Sequence, residues 1–252
     1  MKAGIVRLKT SDDIKRIRDA GAIASEIFRG LTRMSLAGLS TWELDSMIEL
    51  MILRLKGRPA FKTVLRYSSS SCISLNDEVV HGVPSKKRKI HSGDLVKIDI
   101  GVVFNGYFCD ACHTFGIGKV PENARLLADT AMRCLQLAVE VMTPGNRIGD
   151  IGHTIQTHAE THGYSVVHDF TGHGVGFALH EPPKVPHYGR KGTGPVLEPG
   201  MVLAVEPMIN EGGHAVRILD DGWTAVTADG SLSAHYEHTI AITGEGPLVL
   251  TI

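Results

Sequence analysis

The chain has 252 residues, with 26 Lys+Arg against 27 Asp+Glu and a formal net charge of −1, which argues against a dedicated nucleic-acid or membrane-surface binder. Hydrophobic residues make up 43% and charged residues 21%, a composition that excludes global disorder and lets a chain of this length bury a core without disulfide staples. No run approaches the roughly 18 apolar residues of a membrane span, the start at Met1–Lys9 lacks the apolar stretch of a signal peptide, and four Cys fit a reducing cytoplasm better than a disulfide framework. The 13 His and 28 Gly direct attention to a metal site.

Ile14, Ile17, Gly21, Ala24, Phe28 and Leu31 recur at helical spacing behind a Thr10–Asp13 capping box. Ser40 and Glu43 form a second box, followed by Leu44, Met47, Met51 and Leu55 on one stripe, with Gly57 and Pro59 as the stop. Cys72–Leu75 and Leu95–Phe104 are expected as strands, and Asn105-Gly106 is a strong two-residue hairpin signal. Pro121 opens a third helix that Pro144-Gly145 ends, and a fourth runs from Ile148 to His162. Strands are expected at Ser165–Asp169, Met201–Glu206, Gly222–Thr227 and Thr239–Ile242.

The halves echo each other. Gly38 before the second helix matches Gly145, and Gly93-Asp-Leu-Val-Lys-Ile-Asp99 matches Gly200-Met-Val-Leu-Ala-Val-Glu206, both 107 residues on. His81-Gly-Val matches His173-Gly-Val in the same order. This suggests a duplicated α+β unit within one domain spanning 1–252, with repeats at roughly 10–118 and 119–245.

If Asn105-Gly106 forms the turn, Asp99 faces Cys112 and Asp110 faces Gly101. Asp99 and Asp110 then share one face as diagonal neighbours, Cα atoms ~7–8 Å apart. Two carboxylates that close on an apolar hairpin repel one another and resist burial. A bound cation relieves both costs, and two oxygen-ligated divalent ions would suit the pair. Thr171-Gly-His173-Gly-Val-Gly sets a His among glycines that permit close backbone approach. Glu206 ends an apolar strand ahead of Pro207, where a carboxylate is seldom buried unless paired or ligated. Glu237 sits in Ser-Ala-His-Tyr-Glu-His-Thr, entering another β-prone run.

At these residues the sequence resembles the methionine aminopeptidases of the short, type I class, over nearly its whole length. The matching stretches include Cys72–Asn76, His81-Gly-Val-Pro84, Gly172–Gly176, His180-Glu-Pro-Pro183, Glu206-Pro-Met208, Asp221-Gly-Trp223 and Ser231–Thr239. The 31-residue interval from Glu206 to Glu237 leaves no room for the inserted subdomain of the type II class. The resemblance implies a "pita-bread" α+β fold, two pseudo-symmetric halves around a curved antiparallel sheet flanked by helices. It implies metal ligands Asp99, Asp110, His173, Glu206 and Glu237, with Asp110 and Glu237 bridging two ions (Co²⁺, Mn²⁺, Fe²⁺ or Zn²⁺). It makes Glu206 the general base toward a water acidified by the metals, and His81 and His180 the groups that steady the substrate amide. The implied substrates are N-termini of nascent polypeptides with small second residues, and a monomer is expected. Asn76 and Ser233 match a monovalent cation site (Na⁺ or K⁺) of that family.

The implied side-chain pocket is Phe61, Val64, Tyr67, Cys72, Leu179 and Trp223, an apolar slot for an unbranched thioether. Here the sequence departs from the family: Thr63-Val64 replaces the usual Gly-Tyr, no Pro follows Tyr67, Leu179 replaces an aromatic, and Phe177 replaces an Arg. These changes leave the metal site intact and bear on strict methionine preference. An aminopeptidase of the same fold with another specificity, such as Xaa-Pro cleavage, is the alternative, and a non-catalytic ribosome- or RNA-binding relative is a third. The run Lys86, Lys87, Arg88, Lys89 is expected as a solvated turn, with ribosomal RNA contact as its functional alternative. Cys109-Asp-Ala-Cys112 is a C-x-x-C whose cysteines point to opposite faces of a strand and so do not chelate one ion. His153, His158 and His162 recur at i, i+5 and i+9 of a helix, poor spacing for three ligands on one face.

Overall fold

A computed structural model describes residues 5–252; residues 1–4, which open the start expected to lack a leader, lie outside the described residues. Both capping boxes form. Thr10 and Asp13 cap α1 (Ser11–Leu31), and Ser40 and Glu43 cap α2 (Thr41–Arg54), each side chain meeting the other residue's backbone N–H. Lys56 (φ 63°), rather than Gly57, takes the left-handed position after α2. A single-turn helix, α3 (Ala60–Val64), follows. Beyond Pro121 come α4 (Glu122–Val141) and α5 (Ile148–Thr161). Among the described residues no helix is long and apolar enough to cross a membrane.

The hairpin Leu95–Phe104/Tyr107–Gly116 has the expected register, with Phe104 opposite Tyr107, Gly101 opposite Asp110 and Asp99 opposite Cys112. Cys72–Leu75 and Arg58–Pro59 complete that four-stranded sheet along the other edge of Leu95–Phe104. A five-stranded antiparallel sheet runs Gly246–Val249, His238–Thr243, Val202–Val205, Gly172–Gly174, Glu181–Val185. Three of the expected strands are shorter than read, while Thr239–Ile242 extends to His238–Thr243. Ser165–Val166 stops before Asp169, Val202–Val205 stops before Glu206, and Ala225–Thr227 begins after an Asp221 side chain that caps a turn. Strand Gly172–Gly174, which bears His173, its neighbour Glu181–Val185, and Ser233–His235 carry no long period-two pattern and escape sequence reading.

Helices α1 and α2 bury Ile17, Ile27, Leu44 and Ile48 in one core with Val96, Ile98 and Ile100 of the first sheet. Helices α4 and α5 bury Leu127, Leu135, Ile151 and Ile155 in a second core with Leu203, Val205 and Ile240. The sheets join at a seam. Asp110 N–H donates to Thr239 Oγ1 (2.9 Å), which donates to the Asp110 carbonyl (2.8 Å). One step along, Glu237 N–H donates to the Cys112 carbonyl (2.8 Å). The seam therefore sets Glu237 beside the two aspartates of the hairpin.

Gly101, opposite Asp110, lies under Phe61. A Cβ there would come within 2.6 Å of the Phe61 ring and 3.0 Å of the Ala60 methyl. Gly101→Val is expected to push Phe61 from its seat and to cost about 1–3 kcal/mol in urea unfolding; unchanged stability would show that α3 is free to move aside.

Candidate active site

A cavity of about 860 Å³ opens over the seam. Its floor carries Asp99, Asp110, His173, Glu206 and Glu237. One oxygen each from Asp99, Asp110 and Glu237 lies within 4.8 Å of the others, and His173, Glu206 and Glu237 form a second such cluster. His173 Nε2 stands 3.5 Å from Glu206 Oε1 and 3.8 Å from Asp110 Oδ2.

The local sequence explains these placements. Strand Gly172–Gly174 is squeezed between its neighbours: a Cβ on Gly172 would strike the Ala204 carbonyl, and one on Gly174 the Pro182 carbonyl. Glycines on both sides of His173 are the condition for that approach. His173 Nδ1 lies 2.9 Å from the Gly174 carbonyl, to which it donates, leaving the Nε2 lone pair aimed at the carboxylates, the tautomer a metal ligand needs. Glu206 is held at its backbone, where its N–H donates to His187 Nε2 (3.3 Å).

Burial, then the neighbouring carboxylates, pushes Asp99, Glu206 and Glu237 well above the ordinary carboxyl range. Burial lifts Asp110 to about 7, and pulls His173 down to about 3 and His81 to about 4, with His180 as a lesser influence on both. The His–carboxylate proximities are therefore not ion pairs, since the imidazole is neutral. Among the described residues, Asp99 Oδ1, Asp110 Oδ1 and Glu237 Oε1 are buried without a hydrogen-bond partner. Orphaned anionic oxygens converging on one point, with a neutral imidazole beside them, fit divalent cations.

The walls combine Phe61, Leu65, Tyr67, Cys72, Phe170 and Trp223 with His81 and His180 at the rim. His81, in a left-handed turn (φ 59°), sets its ring edge-on to Phe170 at 5.2 Å. His180 sets its ring edge-on to His173 at 4.3 Å. One pocket expectation is corrected. Val64 is 49% exposed and off the cavity, because α3 ends there and the extended backbone at Leu65 places Leu65 on the wall. Leu179 is buried and packed with Phe61, Tyr67 and Cys72. Phe177, in the Arg position, carries the Arg7 guanidinium over its ring at 4.2 Å.

Asn76 and Ser233 do meet, but not as a cation site. The Asn76 carbonyl accepts Ser233 N–H (3.0 Å) and Lys97 Nζ (2.7 Å), so both lone pairs are in use and the residues do not fit Na⁺ or K⁺. The basic run is also less free than expected. Arg88 turns inward onto Glu78 and the Val83 and Ile73 carbonyls, Lys89 pairs with Glu43, and Lys86 lies over Trp42. Cys109 sits in the helix-side core while Cys112 faces the site, and both are free thiols. His158 and His162, four residues apart, do bring their rings to 4.3 Å, yet neither belongs to a potential metal cluster among the described residues.

Sequence reasoning missed four residues. His187 underlies Glu206. His235 stands 3.9 Å from Glu206 Oε2, and only its place in the Ala-His-Tyr-Glu-His motif hinted at a role. Lys9 and Glu181, 172 residues apart, form a buried pair at 2.7 Å with side chains 1% and 6% exposed. Glu181 also accepts the Phe177 and Ala178 N–H groups, and so shapes the turn that ends at His180.

The sequence model of metallopeptidase family M24 matches residues 15–244. A methionine aminopeptidase of Clostridium acetobutylicum is 43% identical over 248 residues, covering 98% of this chain and 99% of the relative. The crystal structure of a methionine aminopeptidase from Thermotoga maritima superposes with a TM-score of 0.96 at 40% identity, covering 98% and 99% of the two chains. A prolidase from Pyrococcus furiosus shares the fold at a TM-score of 0.79 and 26% identity, with 65% of its own length covered. The chain belongs to metallopeptidase family M24 and, within it, to the methionine aminopeptidases. Its fold is the pita-bread fold, and as a metallopeptidase it binds divalent metal.

Lys9→Met leaves Glu181 buried without its cation and is expected to cost about 3–5 kcal/mol in urea unfolding, with a fall in turnover as the His180 turn loosens. Stability equal to wild type would remove the pair from any part in shaping the site.

Proposed function

We propose that this chain removes the initiator methionine from the N-termini of nascent proteins with small second residues, by hydrolysis at a dinuclear metal centre. The observation that carries this reading is the convergence of four carboxylates, two buried and two partly buried, and one neutral, ligand-ready imidazole on the floor of an apolar-walled cavity. The similarity to methionine aminopeptidases over 98% of the chain supports it.

Asp99, Asp110, His173, Glu206 and Glu237 would hold the ions. Bound there, divalent ions supply Lewis acidity for the scissile carbonyl and acidify a water at neutral pH. Glu206 takes the proton from the attacking water and delivers it to the leaving amine; a buried carboxyl with a raised proton affinity suits that traffic. His81, held neutral by burial, and His180, whose proton affinity partial burial also lowers, hydrogen-bond the substrate amide and the developing oxyanion from the rim. Phe61, Leu65, Tyr67, Cys72 and Trp223 form the slot for the methionine side chain, excluding water from a flexible thioether.

Metal-stripped protein given Co²⁺, Mn²⁺, Fe²⁺ or Zn²⁺ singly is expected to release Met from Met-Ala-Ser and to leave Leu-Ala-Ser and Ala-Pro-Ala intact. Cleavage of a control peptide instead would keep the centre and discard the methionine slot. Glu206→Gln is expected to abolish most turnover in a folded protein, and wild-type turnover would contradict its role as base. His180→Ala should lower kcat by roughly 10²–10³-fold, the loss seen on removing an oxyanion donor.

A further inference from the structure

Lys97 is a charged residue where charge is rarely tolerated. It is 1% exposed, and it lies on Leu95–Phe104 between Ser74 and Thr114 of the flanking strands, two residues before Asp99. Its Nζ reaches 2.7 Å to the carbonyl of Asn76, which sits in a left-handed turn (φ 48°). Asn76 is a junction. Its side chain accepts Leu95 N–H (3.0 Å) and donates to Asp94 (2.9 Å), its N–H donates to the Leu95 carbonyl (2.9 Å), and its carbonyl also accepts Ser233 N–H (3.0 Å). Three segments thus meet at one carbonyl: the strand bearing Asp99, the turn leading to His81, and the strand Ser233–His235 leading to Glu237. Burial draws the Lys97 proton affinity down to about 7, and the acidic side chains of Glu78 and Asp77 on the same turn partly offset that cost.

An ammonium group is close to K⁺ in charge and size, and here it sits on the Asn76 carbonyl, at the pair of residues to which the family resemblance assigns a monovalent ion. We propose that Lys97 Nζ is a built-in substitute for a monovalent metal ion at this junction, so that the protein's stability and the placement of its catalytic segments are independent of Na⁺ and K⁺. Lys97 is then a positioning residue: it touches neither substrate nor the divalent centre, and it acts by tying the Asn76 turn to the strand of Asp99. The lysine stem fills the space, so neither ion enters while it is present. The proposal stands on this geometry alone and does not depend on which peptide the enzyme cleaves.

The test compares thermal unfolding and kcat/KM on Met-Ala-Ser of the metal-loaded protein in NaCl, KCl and choline chloride at equal ionic strength. Wild type is expected to give one Tm and one rate in all three salts. Lys97→Ser, which opens the space, should lose stability in choline chloride, then recover about 3 °C or more in Tm, together with activity, when KCl or NaCl replaces choline. Lys97→Met, which fills the space without a charge, should be destabilised equally in every salt. Na⁺- or K⁺-dependence of the wild type would overturn the proposal. So would a Lys97→Ser protein indifferent to the choice of salt, or a Lys97→Met protein as stable as wild type. If Lys97→Ser does not fold in any salt, the cation has no access to the junction and the proposal fails as well.

Discussion

Four carboxylates gathered at one seam, Asp110 and Glu237 buried and Asp99 and Glu206 partly so, are the constraint on which the rest of the structure depends. Each loses hydration on burial, and each repels the others at distances of a few ångström in a medium far less polarisable than water. A fold that gathers Asp99, Asp110, Glu206 and Glu237 at one seam is therefore unfavourable there unless protons or cations compensate. Burial raises the proton affinity of all four groups, so protons compete with cations for these oxygens. Asp99, Asp110 and Glu237 each leave one buried oxygen without a hydrogen-bond partner, open to a cation.

The architecture serves this seam. Each of the two larger sheets is backed by a helix pair and an apolar core, so the strands are rigid where they meet. Backbone bonds between Cys112 and Glu237, and the reciprocal bonds of Asp110 and Thr239, lock the halves in register. Glycines beside His173 let its strand approach both neighbours. Two lysines are also buried, and each acts at the edge of the centre rather than in it. Lys9 neutralises Glu181 under the His180 turn, and Lys97 holds the Asn76 turn that leads to His81. Neither pair supplies chemistry; both fix the positions from which chemistry is done.

What was legible in the sequence was local or carried by strong motifs. Asn105-Gly106 fixes the hairpin register because a two-residue turn admits one pairing, and that alone brings Asp99 and Asp110 to a shared face. The Thr10–Asp13 and Ser40–Glu43 boxes mark two helix starts within a residue. The opposite orientation of Cys109 and Cys112 follows from the period of a strand. What was not legible depends on contacts between distant segments. The Lys9–Glu181 pair spans 172 residues. The exchange of Val64 for Leu65 on the cavity wall turns on where a five-residue helix ends, a boundary that propensity does not resolve. Asn76 and Ser233 were rightly brought together, but Lys97, only two residues from a recognised aspartate, carried no pattern to say that its ammonium claims the same carbonyl.

The central claim is that divalent cations relieve the repulsion of the buried carboxylates, and calorimetric titration of metal-stripped protein with Mn²⁺ or Co²⁺ tests it most directly. The account predicts two ions bound per chain, protons released as the raised carboxyls ionise, and a Tm that climbs with metal concentration. A folded protein that binds no ion, or whose Tm is unmoved by saturating metal, would contradict it.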